Sequence, residues 1–297
     1  MNQRMEARTA FEAFVRWTIT TEYPAHREFL PPGECEAFAD YYRALPAPGD
    51  EPAIRRYLRG LWRSEAGWTA RWLAGRKQAS VMDAGSGFGT YSMLYAAVGA
   101  EVLGADLRPD RLEAAERRLH FYRQSTGRSL RVHYDRADLT REWERDVDLV
   151  WVYNALSHID PLDGFLAAVR RHLKPGGVLA VGDINGAHPA HLKRLAGLRS
   201  EVHQEYVAPD GQRHAYAVER TFSPDEMRAV CAANGLRVVH HELYWGGLGV
   251  TPELLYRMVL SPLQRHLRWG ATRARRQLLV VTPDGVEPRR PLAAAEA

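Results

Sequence analysis

Apolar and polar positions follow two different rhythms along this chain. In residues 1–78 the apolar residues recur at helical spacing and no alternating, strand-like run occurs. Phe11, Phe14, Val15 and Thr18 share one helical face. Residues from Cys35 to Leu45 read as a second helix. A third helical stretch from Ile54 to Leu73 carries Tyr57, Leu58, Leu61, Trp62, Trp68 and Trp72. Pro24, Pro31, Pro32 and Gly33 are expected to break the chain, and residues 46–52 to form a loop. The aromatic residues are expected chiefly to pack onto the main domain. The same segment could also act as a lid, supplying aromatic walls to a pocket.

From Gln78 the rhythm changes to strand alternating with helix. Short apolar runs end at Met82, at Ala105 and at Tyr134, and the run Leu149 to Val152 reads as a fully buried central strand. Helical patterns separate them: one over residues 110–122 with Leu112, Ala115 and Leu119 inward, and one over 161–173 that Pro175, Gly176 and Gly177 stop before a strand at Val178 to Val181. Ser223-Pro224-Asp225-Glu226 supplies an N-cap serine, a proline at the first helical position and acids in the first turn. That helix runs to Asn234 and Gly235, and strands follow at Leu236 to His241 and Gln277 to Thr282. The pattern predicts a doubly wound, mostly parallel α/β sheet of about seven strands with a helical appendage ahead of it. The expected divisions are an appendage or lid over 1–78, a main domain over 79–283, and a flexible tail over 284–297. Insertions fall at about 186–221 and 246–276.

Within this frame one stretch is loaded with chemistry: VMDAGSGFGTYS, from Val81 to Ser92. A strand runs into three alternating glycines, Gly85, Gly87 and Gly89, and then into a helix. That is the geometry of a nucleotide-type site at the carboxyl edge of a parallel sheet. Glycines admit positive φ and a close backbone approach, and the helix start offers free N–H groups. A dinucleotide fingerprint would require a third glycine where Thr90 stands. Asp83, two residues before the first glycine, suits a ligand with an ammonium group better than a pyrophosphate, which it would repel. Asp106, closing the next strand, can accept from both hydroxyls of a ribose.

Composition narrows the classes. With 297 residues, 45% hydrophobic and 26% charged, the chain can bury a full core. No apolar run is long enough for a transmembrane helix, the first residues lack a secretory h-region, and a cytoplasmic location is expected. Cys35 and Cys231 match no metal or redox spacing and read as buried thiols. The net charge of +4 does not by itself call for a nucleic-acid partner.

Four segments in order give the chain a resemblance to the class I S-adenosylmethionine-dependent methyltransferases. They are DAGSGFGTYS, the acid of GADLRPDRLEAA, the segment RADL, and YNALSHID followed by LKPGGVLAV. The resemblance covers roughly residues 78–243 and 277–282. It implies S-adenosyl-L-methionine as cofactor and roles for the matching positions. Asp83, Gly85, Ser86 and Gly87 would line the methionine moiety. Asp106 would hold the ribose and Leu107 would pack on adenine. Asp138 and Leu139 would read the adenine edge, and Asn154 and Ala155 would lie beside the sulfonium methyl.

For the chemistry, His158 is the first candidate base and His188 the second, each following a strand on the cofactor side. Asp183 and Asn185 stand where metal-using relatives carry adjacent ligands, but Ile184 separates them and no acid occupies Tyr153 or Asn154, so no metal is expected. Asn154-Ala155-Leu156-Ser157 is not the Asn/Asp-Pro-Pro-aromatic segment of base-methylating enzymes, which argues against DNA. Residues 202–220 read as a hairpin, and 246–276 as a basic amphipathic stretch, chiefly a solvated face over a packed helix; the functional alternative is an acidic ligand or homodimerisation. The sequence therefore predicts a small-molecule methyltransferase, with an oxygen acceptor preferred. Methylation of RNA or protein, and a non-catalytic cofactor-binding scaffold subunit, are the alternatives.

Overall fold

A computed structural model describes residues 3–76, 78–141, 143–198, 203–207, 213–217, 220–244 and 274–286. Two compact units result, one built on residues 1–138 and the other on residues 139–290. Seven strands form one sheet in the order β3-β2-β1-β4-β5-β9-β8, with a separate two-stranded ribbon. The strands are β1 (Ser80–Ala84), β2 (Glu101–Asp106), β3 (Val132–Arg136), β4 (Val147–Tyr153), β5 (Leu173–Ile184), β8 (Leu236–Tyr244) and β9 (Arg276–Pro283). The ribbon consists of β6 (His203–Val207) and β7 (Arg213–Ala217).

The first unit begins with helices, as the 3.6-residue spacing requires. Helix α1 (Gln3–Trp17) buries Phe11, Phe14 and Val15. It continues through a π-helical turn, Thr18–Glu22, into α2 (Tyr23–Phe29). Pro24 does not break the chain, contrary to expectation. It is the second residue of α2, directly after the π-helical turn, and the chain stays helical through it. Helix α3 (Pro32–Tyr41) follows the Pro31-Pro32 stop. The long third stretch is two helices, α4 (Glu51–Arg63) and α5 (Glu65–Leu73), because Ser64 is extended between them and returns its hydroxyl to the Leu61 carbonyl. Trp62 and Trp72 are buried, and Phe11 meets Trp62 edge to face with centroids 5.2 Å apart.

Helix α6 (Thr90–Ala97) links β1 to β2, and α7 (Pro109–Thr126) links β2 to β3. All three strands are parallel. Leu112 and Ala115 of α7 pack with Tyr134 of β3, flanked by Leu119 and Val132.

In the second unit β4 is buried from Leu149 to Val152, which accounts for its continuous apolar run. Helix α8 (Leu162–His172) ends one residue before β5 begins. The Pro-Gly-Gly segment thus lies inside a strand rather than ahead of one: Leu173 pairs with Val147, and the register shifts before Leu149 meets Val178. Helix α9 (Pro189–Leu198) follows β5. The two runs expected to form a hairpin are the antiparallel pair β6–β7, with Val207 opposite Arg213. Helix α10 (Pro224–Ala233) has a full capping box between Ser223 and Glu226. Strand β9 is antiparallel to both neighbours, β5 and β8. The basic insertion, expected over 246–276, falls almost wholly outside the described residues, as does the tail beyond residue 286.

Candidate functional site

In the first unit, the turn between β1 and α6 is shaped by its glycines. Gly85, Gly87 and Gly89 have φ of 74°, 51° and 70°. The amides of Gly85 and Ser86 both donate to the Ala105 carbonyl, at 2.8 and 3.0 Å, which ties the turn to the end of β2. Gly89 must lack a side chain for a second reason: a methyl there would overlap the Tyr134 hydroxyl. At Gly87, by contrast, no atom lies within 4 Å of where a Cβ would stand, so the backbone faces open space.

Asp106 closes this turn from the neighbouring strand. Its Oδ2 accepts from the Gly87 amide at 2.8 Å and its Oδ1 from the Arg108 amide at 3.0 Å. Each oxygen retains a lone pair for a ligand hydroxyl. Burial raises the carboxyl's pKa, opposed by those two amides. Ser86 adds a polar atom without a role inside the protein: its Oγ is buried and has no hydrogen-bond partner among the described residues. An open glycine backbone, a hydroxyl in search of a partner and a carboxylate with spare lone pairs fit a ribose-bearing ligand.

Asp83 is only 2% exposed, and its Oδ2 accepts from the Ser92 hydroxyl at 2.5 Å. Burial pushes its pKa up to about 7, against the lowering effect of Ser92. Ser92 was not singled out from the sequence. It closes the glycine-rich stretch but has no role assigned there, and only the fold brings the first turn of α6 onto β1. Leu107 is half-buried just past Asp106, and Asp138 is half-buried in the segment after β3.

In the second unit the candidates follow β4 and β5. Leu139 is buried, and its carbonyl accepts from the Trp143 indole. Asn154 has φ of 51°, a left-handed conformation that asparagine tolerates better than most residues. Its amide donates to the Gly182 carbonyl, and its Oδ1 accepts from Arg276 Nη1 at 2.9 Å. The Arg276 guanidinium also lies 4.5 Å from the Tyr153 ring centroid. Arg276, which the sequence places only at the end of the basic stretch 246–276, is brought beside Asn154 by the antiparallel pairing of β9 with β5. Ala155 is half-buried and leads into a 3₁₀ turn, Leu156–His158, which leaves His158 exposed.

His188 is engaged otherwise. Its Nδ1 accepts from the Ala190 amide at 3.2 Å, so it caps the start of α9, leaving Nε2 as the nitrogen able to act on a substrate. Asp183 accepts from the Ile184 amide, and Asn185 bridges the Ala274 carbonyl and the Ala187 amide. Among the described residues, no group of three or more His, Cys, Asp or Glu side chains could hold a metal ion.

A methyltransferase-domain family model matches residues 82–179. Over 159 residues the chain is 27% identical to a ubiquinone biosynthesis O-methyltransferase from Brucella anthropi, covering 54% of this chain and 60% of that protein. It is 30% identical over 145 residues to a malonyl-[acyl-carrier protein] O-methyltransferase from Pseudescherichia vulneris, covering 48% and 50%. The chain thus spans only about half to three fifths of the length of these curated relatives. The solved structure of magnesium protoporphyrin IX methyltransferase from Synechocystis PCC 6803, with bound SAH, has a TM-score of 0.51 at 13% identity, covering 92% of this chain and all of that one. That likeness is one of fold.

Proposed function

We propose that this chain, whose residues 82–179 match a methyltransferase-domain family model, is a class I S-adenosylmethionine-dependent enzyme transferring a methyl group from S-adenosyl-L-methionine to a small-molecule acceptor, preferentially to oxygen. The observation that carries this reading is the glycine turn closed by Asp106, with the open Gly87 backbone and the unpartnered Ser86 hydroxyl. The curated relatives, both named O-methyltransferases, support the choice of oxygen.

In this reading Asp106 holds the ribose hydroxyls, Leu107 packs on adenine, and Asp138 with Leu139 reads its edge. Asp83, Gly85, Ser86 and Gly87 hold the methionine end, where a buried carboxylate and backbone carbonyls complement an ammonium group. The bound cofactor supplies an electrophilic methyl on a sulfonium. What remains for the chain is to align the acceptor and take its proton. Asn154 and Ala155 serve the methyl-bearing side. His158, exposed on the turn after β4, is the first candidate base, and His188 through Nε2 the second. The helical segment 1–78 acts as the appendage that shields the acceptor. No DNA partner is proposed. A homodimer and a cytoplasmic location belong to the same reading. No helix among the described residues is long and apolar enough to cross a membrane.

Calorimetric titration with S-adenosylmethionine, beside an Asp106→Ala variant and an NAD control, tests this. Micromolar binding that the variant loses is expected. Binding of NAD instead would overturn the reading. Cofactor binding without turnover on any acceptor, together with a stable protein complex, would favour a scaffold subunit.

A further inference from the structure

The buried polar network behind the glycine turn has no part in the reading above. Arg118 of α7 and Glu22 at the end of the π-helical turn are both fully buried. All five N–H bonds of the guanidinium find acceptors. Nε donates to Glu22 Oε1 at 2.7 Å and Nη2 to Glu22 Oε2 at 2.9 Å, a two-pronged pair. Nη2 also donates to the Tyr42 hydroxyl at 2.8 Å. Nη1 donates to the Phe88 carbonyl at 2.5 Å and to the Thr90 hydroxyl at 2.9 Å. Tyr42 and Thr90 share a further hydrogen bond of 2.6 Å. Both hydroxyls already accept from Arg118, and either can donate the proton of the bond between them.

Phe88 and Thr90 flank Gly89 in the glycine turn, whereas Glu22 and Tyr42 belong to the helical segment. Packing repeats the connection. Phe88 lies in one apolar cluster with Leu30, Cys35, Phe38 and Tyr42, and its ring meets that of Phe38 edge to face at 5.4 Å. Stability alone is a weak reason for such a network, because replacing a buried ion pair by well-packed apolar residues is often neutral or stabilising. An apolar cluster cannot fix the direction of a backbone carbonyl. Arg118 can: by holding the Phe88 oxygen it sets the plane of the Phe88–Gly89 peptide, while Asp106 holds the Gly87 amide on the ligand side.

We propose that Arg118 is a positioning residue for the cofactor turn, through which Glu22 and Tyr42 of the helical segment set the affinity for S-adenosylmethionine. The proposal rests on the glycine turn being the cofactor site. Thr90→Val and Tyr42→Phe each delete one hydroxyl at the rim of the network and leave the ion pair in place. Each weakens the Kd for S-adenosylmethionine and for S-adenosylhomocysteine roughly 3- to 10-fold, the equivalent of one hydrogen bond. Thr90→Ser, which keeps the hydroxyl, retains wild-type affinity. Arg118→Lys, which keeps the charge and loses the fork, weakens binding further. Phe11→Leu, a core change in α1 remote from the turn, lowers Tm but leaves Kd unchanged. Calorimetry well below Tm reads all of these without an acceptor. Unchanged Kd in both Thr90→Val and Tyr42→Phe, with Asp106→Ala unable to bind, overturns the positioning role and leaves the cofactor site standing. Full binding by Asp106→Ala overturns the site itself, and the positioning role with it.

Discussion

At the scale of single residues, Asp83 carries a sharp consequence of burial. Its pKa of about 7, against an ordinary 3.8, means the folded chain holds this proton more tightly than the unfolded chain does. Between pH 4 and pH 7 the folded state binds more protons, so this group's contribution makes stability fall as pH rises through that window. A cationic ligand group reverses the preference, because an ammonium favours the ionised carboxylate. Affinity for S-adenosylmethionine should therefore rise from pH 6 to pH 8, with proton release measurable by calorimetry in buffers of different ionisation enthalpy. Asp83→Asn should flatten both trends. A pH-independent affinity in the wild type would sink the assignment of Asp83 to the ammonium. The last two glycines of the turn make a second residue-scale pair. Gly87→Ala meets no neighbour and incurs only the strain of positive φ, about 1 kcal/mol. Gly89→Ala adds a collision with Tyr134 and should lower Tm far more. Thermal melts of the two variants decide this.

The elements show what a linear pattern can and cannot carry. Helix α10 was legible to its caps, since Ser223, Pro224 and Glu226 act on neighbours within one turn. Ser223→Ala should cost about 1 kcal/mol by chemical denaturation, and much less would mean that the capping box contributes little. Strand β4 was legible too, because burial on both faces demands an unbroken apolar run. Pro24 misled because proline reads as a stop, although the chain stays helical through it. The Pro-Gly-Gly segment misled in another way: a register shift absorbs it within β5, and bulges leave no periodic trace. At the site, the glycines and Asp106 were visible because their chemistry is local. Ser92, Tyr134, Arg118 and Arg276 were not. Each reaches its partner across a sheet or between helices, and nothing in the spacing of a serine, a tyrosine or an arginine marks such a meeting.

At the scale of the whole molecule, the two units carry opposite titrations. Burial, with Arg228 and His240 nearby, lowers the pKa of His241 in β8 from 6.5 to about 4. Its unfolded form binds the proton more tightly, so stability from this group is present above pH 6.5 and is lost as pH falls towards 4. The first unit, through Asp83, changes in the other direction over an overlapping range. Amide exchange, corrected for its intrinsic pH dependence, should show protection in β8 falling relative to β1 between pH 7 and pH 5. His241→Gln should remove the difference, and parallel changes in both strands would show that the whole chain opens as one.

The position of β9 bears on how the protein is made. The strand lies between β5 and β8, yet follows both in the chain, and residues 185–275 separate its first residue from the last of β5. During synthesis β5 and β8 therefore have no partner on their facing edges until residues 276–283 emerge from the ribosome. Open edges of apolar strands are templates for pairing with other chains. The nascent protein passes through a stage at which its second unit is long enough to aggregate but too short to fold, and release at any point before residue 276 should give insoluble product. Successful expression thus depends on how quickly the last strand follows, and on what shelters the gap until it does.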